Sequence, residues 1–220
     1  MSYFVTGSDT DVGKTLVSCA LLHGFAAQNM RVAGFKPVAA GTDVDGLNHD
    51  AKTLLAMSGV SLRYEQVNPY CLSEAIAPHI AAARENVRIE QSRIVAAYRE
   101  LAALVDSVIV EGAGGFMVPL NDNQTGADLA RELGLPVILV VGMRLGCLNH
   151  ALLTIRAIAD QGLQCAGWVA NVLDADMPAL QENIESLQKR IEAPLLGVVP
   201  YMTEPDAKCA AECLDLAMTV

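Results

Sequence analysis

Basic and aromatic residues are both scarce in this sequence. Fifteen Lys and Arg stand against twenty-five Asp and Glu over 220 residues, a formal net charge of −10. So acidic a chain lacks the electrostatic footprint for non-specific binding to nucleic acid or anionic membrane, although a local basic pocket can still bind phosphate. Aromatics make up only 5% of residues, too few for a base-stacking platform. Long apolar runs are missing as well: the longest, Leu135 to Val141, is about a third of a membrane span. None of the cysteines at 19, 71, 147, 165, 209 and 213 forms a C-x-x-C pair or lies near an H-x-x-x-H partner, so a zinc site has little support. Cys209 and Cys213, one helical turn apart, read as small core residues. The opening Ser2-Tyr3-Phe4-Val5-Thr6 is unlike a charged segment followed by an apolar leader, and a cytoplasmic protein is expected.

Charge is sparse overall, at 18% against 52% hydrophobic residues. That balance excludes disorder and is ample for a large core. Short apolar, β-branched runs recur at Tyr3–Thr6, Arg31–Val38, Ser107–Val110, Pro136–Val141, Cys165–Ala170 and Leu195–Val199. Several are continuous rather than alternating, as when both faces of a parallel sheet are covered. Segments of helical period lie between them: Thr15–Gln28, 49–57, 89–104, 125–133, Leu148–Asp160, 178–190 and 206–217. The alternation predicts an α/β fold, a doubly wound, mostly parallel sheet with helices on both faces, in one domain over 1–220. The stretch 59–88 reads as loop and short helix.

Gly7-Ser8-Asp9-Thr10-Asp11-Val12-Gly13-Lys14-Thr15 follows the first strand and opens the first helix, the context a phosphate-binding loop requires. Gly13 lets the backbone approach an anion, free N–H groups at the helix start point at phosphates, Lys14 adds charge, and the Thr15 hydroxyl can ligate Mg²⁺. Five residues rather than the usual four separate Gly7 from Gly13. An ordinary helix start explains Gly-Lys-Thr alone, but not its coincidence with strand, loop and amphipathic helix.

Two carboxylates can complete a metal site. Glu111 is expected just after the Val108-Ile109-Val110 strand and before Gly112-Ala113-Gly114-Gly115, and strand C-terminal ends line the ligand crevice of open α/β sheets. Asp50 opens a helical run, so helix capping explains it as well as metal binding does. Lys36 ends the second apolar run, where a surface lysine is the plain alternative. Asn171 ends the Trp168-Val169-Ala170 strand and suits either a base amide or a turn. His49, His79 and His150 are scattered, with no Ser/His/Asp or Cys/His order.

Taken together these segments resemble the dethiobiotin synthetases, over nearly the whole chain. The resemblance rests on Tyr3 to Thr15, Lys36-Pro37-Val38, Val67-Asn68-Pro69-Tyr70, Pro78-His79, Val110 to Gly115, the run Val137 to Val141, Leu145 to Ala151 and Ala166 to Asn171. It implies an ATP- and Mg²⁺-dependent ring closure: 7,8-diaminononanoate takes up CO₂ as a carbamate, a carbamic–phosphoric anhydride forms, and the second amine closes the ring of dethiobiotin. By the same resemblance Asp11, Val12, Gly13, Lys14, Thr15 and Leu16 hold the phosphates, and Thr15, Asp50 and Glu111 surround Mg²⁺. Lys36 is the catalytic lysine, with Lys14, Thr10 and Asp11 beside it. Gly112, Ala113 and Gly114 pass close to nucleotide or substrate; Asn171, Pro200, Tyr201 and Met202 form the adenine edge. Leu145 and Asn149 reach the substrate tail from the neighbouring subunit of a homodimer.

One departure stands out: where some relatives have a serine that contacts substrate, this chain has Ala40 followed by Gly41. Backbone N–H groups or Thr42 must then serve, or the contact is dispensable. The rival reading is a partitioning or septum-site ATPase switch, whose loop carries a second lysine where Asp9 stands here. A cobyrinate-type amidoligase would bring a glutaminase domain that 220 residues cannot include, and a nucleotide-sensing module would leave Lys36 without a task.

Overall fold

The strand Tyr3–Gly7 (β1) lies in the middle of a six-stranded sheet, and all five of its residues are buried. In this computed structural model, which describes residues 1–219, it is followed by the helix Lys14–Ala27 (α1) and the strand Val32–Phe35 (β2). Next come the strand Val38–Ala40 (β3), helices His49–Met57 (α2) and Tyr64–Val67 (α3), and the strand Tyr70–Leu72 (β4). Helices Pro78–Arg84 (α4) and Gln91–Ala102 (α5) lead to the strand Ser107–Gly115 (β5), helix Gly126–Leu133 (α6) and strand Val137–Met143 (β6). The helix Cys147–Asp160 (α7), strand Cys165–Val172 (β7), helix Leu180–Gln188 (α8), strand Leu195–Val199 (β8), helix Ala207–Glu212 (α9) and a 3-10 turn at Leu216–Thr219 complete it.

The main sheet runs β2-β5-β1-β6-β7-β8, and every pair in it is parallel. Successive residues of β1 serve opposite faces. Tyr3 and Val5 pack with Val17, Leu21 and Phe25 of α1, while Phe4 joins Phe35, Val108 and Val110 under Ile94 of α5 and Leu129 of α6. Burial on both faces is why these strands read as unbroken apolar runs. The doubly wound parallel architecture foreseen from the alternation is the one observed. The chain leaves β1 toward β2 on one side and crosses to β6 on the other, so a crevice opens at the C-terminal ends of the central strands.

Four local expectations need correction. The run Arg31–Val38 is two strands: Lys36-Pro37 ends β2, because Pro lacks a donor and restrains the residue before it, and β3 pairs with β4 in a separate two-stranded sheet. The stretch 59–88 thus contains a strand as well as short helices. Glu111 lies inside β5, opposite Val5 of β1, rather than after the strand. Cys209 is exposed and Cys213 half-buried; α9 turns Ala210 toward the core, which leaves Cys209 outside it.

Candidate active site

The phosphate loop is shaped by a partner far away in sequence. Gly13 has φ 86, a left-handed conformation that side chains rarely adopt. Space forbids a side chain there too, since a Cβ would sit 2.1 Å from Nδ2 of Asn171. That amide, buried on β7, donates to the Val12 carbonyl at 2.9 Å. Asp11 is likewise left-handed, with φ 55, a conformation Asp tolerates better than most. Gly13 supplies no side-chain cap and the first turn of α1 holds no acid, so its N–H groups remain available to an anion. Lys14 folds back over the loop, its Nζ donating to the Asp9 carbonyl at 3.2 Å. Burial, and then the nearby Lys36 charge, hold Lys14 below the ordinary lysine range. Leu16 packs into the apolar cluster beneath the loop.

Lys36 follows directly after β2 and is buried, at 4% exposure; it is no surface lysine. Its ammonium donates to Glu111 Oε1 at 2.5 Å and to Asp50 Oδ2 at 3.1 Å, with the Gly112 carbonyl at 3.5 Å. Burial alone pulls such an ammonium down, but Glu111 and Asp50 outweigh it and raise Lys36 above its ordinary value. Asp50 mirrors this: burial pushes its carboxyl up, and Lys36 beside it brings it below the usual carboxylate range. Asp50 is not the cap of α2. Asn48 is, its side chain accepting from Ala51 N at 3.1 Å, which leaves Asp50 free for the site.

Thr15 Oγ1 donates to Glu111 Oε1 at 2.9 Å, so a hydroxyl and two carboxylates converge. Glu111 is fully buried, yet its Oε2 has no hydrogen-bond partner, which is costly unless something else occupies that lone pair. A small divalent cation of the Mg²⁺ kind suits this donor set, because it binds through one or two carboxylates and takes phosphate and water oxygens for the rest. Among the described residues no three His, Cys, Asp or Glu gather closely enough to hold a metal unaided.

A cavity of about 760 Å³ joins these groups. Thr10, Asp11, Lys14 and Lys36 give it a polar wall; Ala39, Ala40, Ile76, Pro78 and Val118 give it an apolar one. Ala113 and Gly114 also face it. Gly41 does not serve as a donor there: its N–H goes to the Leu72 carbonyl at 2.9 Å, and that of Thr42 to Ser73 at 3.2 Å. The backbone at 41 and 42 is therefore committed, and cannot replace the missing hydroxyl at Ala40. Asn171 pairs in register with Val199, so Pro200, Tyr201 and Met202 follow directly beside it. Leu145 and Asn149 are exposed and lie outside this cavity's lining.

The structure also brings in residues that sequence reasoning missed. Asp9 pairs with Arg144 at 2.6 Å and lies 3.6 Å from His150; the Thr10 N–H above all, then Arg144, outweigh partial burial and hold its carboxyl low. Nothing in the sequence links Arg144 to the loop. Asn48 was detectable, as an Asn immediately before a periodic helical segment.

A phosphate loop between the first strand and helix of a doubly wound parallel sheet, facing a buried carboxylate on the neighbouring strand, defines a P-loop nucleotide-binding protein. The model of the AAA domain family matches residues 1–208. The ATP-dependent dethiobiotin synthetase BioD of Aromatoleum aromaticum is 54% identical over 98% of this chain and 97% of its own length. Those of Nitrosospira multiformis and Cellvibrio japonicus are 52% and 53% identical, each over 98% of this chain and over 95% and 96% of their own. The chain belongs to the dethiobiotin synthetase family. Among solved structures, a ParA family ATPase from Chlorobium tepidum (TM-score 0.57, 15% identical, 92% of this chain and 85% of that one) shares the fold. So does the septum site-determining protein MinD of Pyrococcus horikoshii (TM-score 0.56, 17% identical, 96% and 86%). At such identity the likeness extends to the fold alone.

Proposed function

We propose that this protein is an ATP-dependent cyclo-ligase that converts 7,8-diaminononanoate and CO₂ to dethiobiotin, with ADP and phosphate released. The observation that carries the reading is the buried Lys36 ammonium, held between Glu111 and Asp50 at the edge of a cavity that also contains Lys14. Relatives more than 50% identical bear the synthetase name, which disfavours the switch-ATPase alternative.

The reaction brings two anions together, a carbamate and a triphosphate, and their repulsion must be offset. Asp11, Asp50 and Glu111 offset the charges of Lys14 and Lys36, so the residues alone do not leave the site positive. Thr15, Asp50 and Glu111 would hold Mg²⁺, which would supply the extra positive charge. Lys14 and the N–H groups of 11–16 hold the phosphate chain. Thr10 and Asp11 orient the diamine, and the apolar wall of Ala39, Ala40 and Ile76 takes its methylene chain. One amine adds to CO₂ and loses a proton. A carbamate oxygen then bonds to the γ-phosphorus as the bond to the β–γ bridging oxygen breaks, with Lys36 between donor and acceptor. The second amine attacks the carbonyl carbon, phosphate leaves with the bonding pair, and the attacking nitrogen passes its proton to that phosphate as the ureido ring closes.

The whole chain acts as one domain in this account, and as a cytoplasmic homodimer. Among the described residues no helix is long and apolar enough to cross a membrane. Leu145 before α7 and Leu153 within it are both exposed, and the homodimer rests on the family resemblance. In that dimer Leu145 and Asn149 approach the partner's substrate tail, and a monomer mass in light scattering contradicts this role. The activity itself is tested by incubating purified protein with ATP, Mg²⁺, bicarbonate and the diamine. Dethiobiotin in the mass spectrum is the expected result; its absence across pH and Mg²⁺ concentrations rules the reading out.

A further inference from the structure

Lys36 has its backbone held on both sides by Val67 and Asn68, in the stretch that the sequence reads as loop and short helix. Its N–H donates to the Val67 carbonyl at 2.8 Å, and its carbonyl accepts from Asn68 Nδ2 at 2.6 Å. The same Nδ2 donates to the Tyr70 carbonyl at 3.0 Å, and Asn68 Oδ1 accepts from the Tyr64 hydroxyl at 2.9 Å. Asn68 is 3% exposed, and both ends of its amide are in use. The Tyr64 oxygen in turn accepts from the Asn48 backbone N–H at 2.9 Å. Asn48 caps α2, two residues before Asp50, and its Nδ2 donates to the Gly41 carbonyl at 2.7 Å.

One chain of hydrogen bonds thus runs from the Lys36 carbonyl through Asn68 and Tyr64 to the start of the helix that carries Asp50. Lys36 and Asp50 come from different elements, β2's end and α2's first turn; α2 packs on β2 further along, Gly34 against Leu54 and hydrogen-bonded to Ser58, and the Asn68–Tyr64 chain joins the two ends nearest the site. We propose that Asn68 and Tyr64 are positioning residues for the reaction: they fix the distance between Lys36 and Asp50, and so aim the ammonium at the transferring phosphoryl group. This rests on the function proposed above. A network centred on a buried amide whose donor and acceptor are both in use is the kind that defines a single geometry, and misplacement of a charge by about 1 Å can cost on the order of 100-fold in rate.

The test compares Asn68→Ala and Tyr64→Phe with the unaltered protein, alone and in a Lys36→Ala background. In the single variants, turnover should fall roughly 10-fold or more while ATP affinity by calorimetry stays within about two-fold. In the Lys36→Ala background the same changes should cause a much smaller further fall, limited to what a displaced Asp50 costs, whereas a merely structural role would give an equal one. An activity-independent readout is acetylation by acetic anhydride, followed by peptide mass spectrometry with exposed Lys208 as internal reference. The ratio of Lys36 to Lys208 modification should rise about 10-fold in Asn68→Ala, as the clamp opens. Should Asn68→Ala fail to fold, Tyr64→Phe, which removes one oxygen and keeps the ring, carries both readouts. Unchanged turnover in the folded variants, an equal loss without Lys36, or an unchanged modification ratio each overturns the proposal. If the unaltered protein makes no dethiobiotin, the proposed function fails while the acetylation ratio still decides whether the clamp exists.

Discussion

Asn171 and Gly13 are shaped to each other: the asparagine amide occupies the space a Cβ at position 13 would need, and from there it reaches the Val12 carbonyl. The phosphate loop is therefore braced from β7, three strands across the sheet from β5, before any nucleotide arrives. Gly13→Ala should weaken binding of inorganic tripolyphosphate by on the order of 10-fold or more, since strain and a clash act together. Asn171→Asp replaces the donor with an acceptor facing a carbonyl and should weaken it too, by about 5-fold or more. Tripolyphosphate has no base, so calorimetry with it separates bracing from adenine contact. Unaltered affinity in Asn171→Asp would assign this residue to the base alone.

Glu111 is buried with an unpartnered oxygen, and Asp50 sits opposite it across Lys36. Glu111→Gln and Asp50→Asn should each raise the Mg²⁺ concentration for half-maximal activity by roughly 10-fold or more, the scale on which loss of a supporting group affects metal sites. A Mg²⁺ titration of turnover that superimposes on that of the unaltered protein would exclude the variant position from the metal site.

On the opposite edge of the molecule, away from the chemistry, Asp106 receives the Arg31 guanidinium and backbone N–H, which hold its carboxyl at about 2. A carboxyl depressed in the folded state contributes stability above its unfolded value near 4 and loses it as pH falls toward the folded one. The stability difference between the unaltered protein and Asp106→Asn should therefore shrink as pH drops from about 4 to about 2. Urea midpoints measured across that window check this, and a difference that grows on acidification contradicts the pairing.

Much of this arrangement could be read from residue order. Strand, glycine, lysine and helix coincide only where a loop must meet an anion, so Gly13, Lys14 and Thr15 were visible at once. Lys36 and Glu111 stood out as charges in apolar surroundings, though their mutual ion pair depends on β2 lying beside β5, which no local pattern encodes. The break at Pro37 is local, yet the apolar residues on both sides masked it. The strand Tyr70–Leu72 is too short for periodicity to reveal, and its pairing with β3 is a tertiary fact. Asp9 with Arg144, and Asn68 with the Lys36 carbonyl, are likewise contacts made only once distant elements are stacked. The family resemblance supplied roles for Leu145 and Asn149, which a single chain leaves exposed and apart from the cavity.

The most direct measurement is turnover and ATP affinity of Lys36→Ala side by side. With Lys14 and the phosphate loop intact, ATP affinity should remain within about three-fold, while dethiobiotin formation falls by on the order of 100-fold or more, the cost of removing a charge aimed at the reacting group. Equal product formation by this variant would contradict the account, because the ammonium between Glu111 and Asp50 would then have no part in the chemistry.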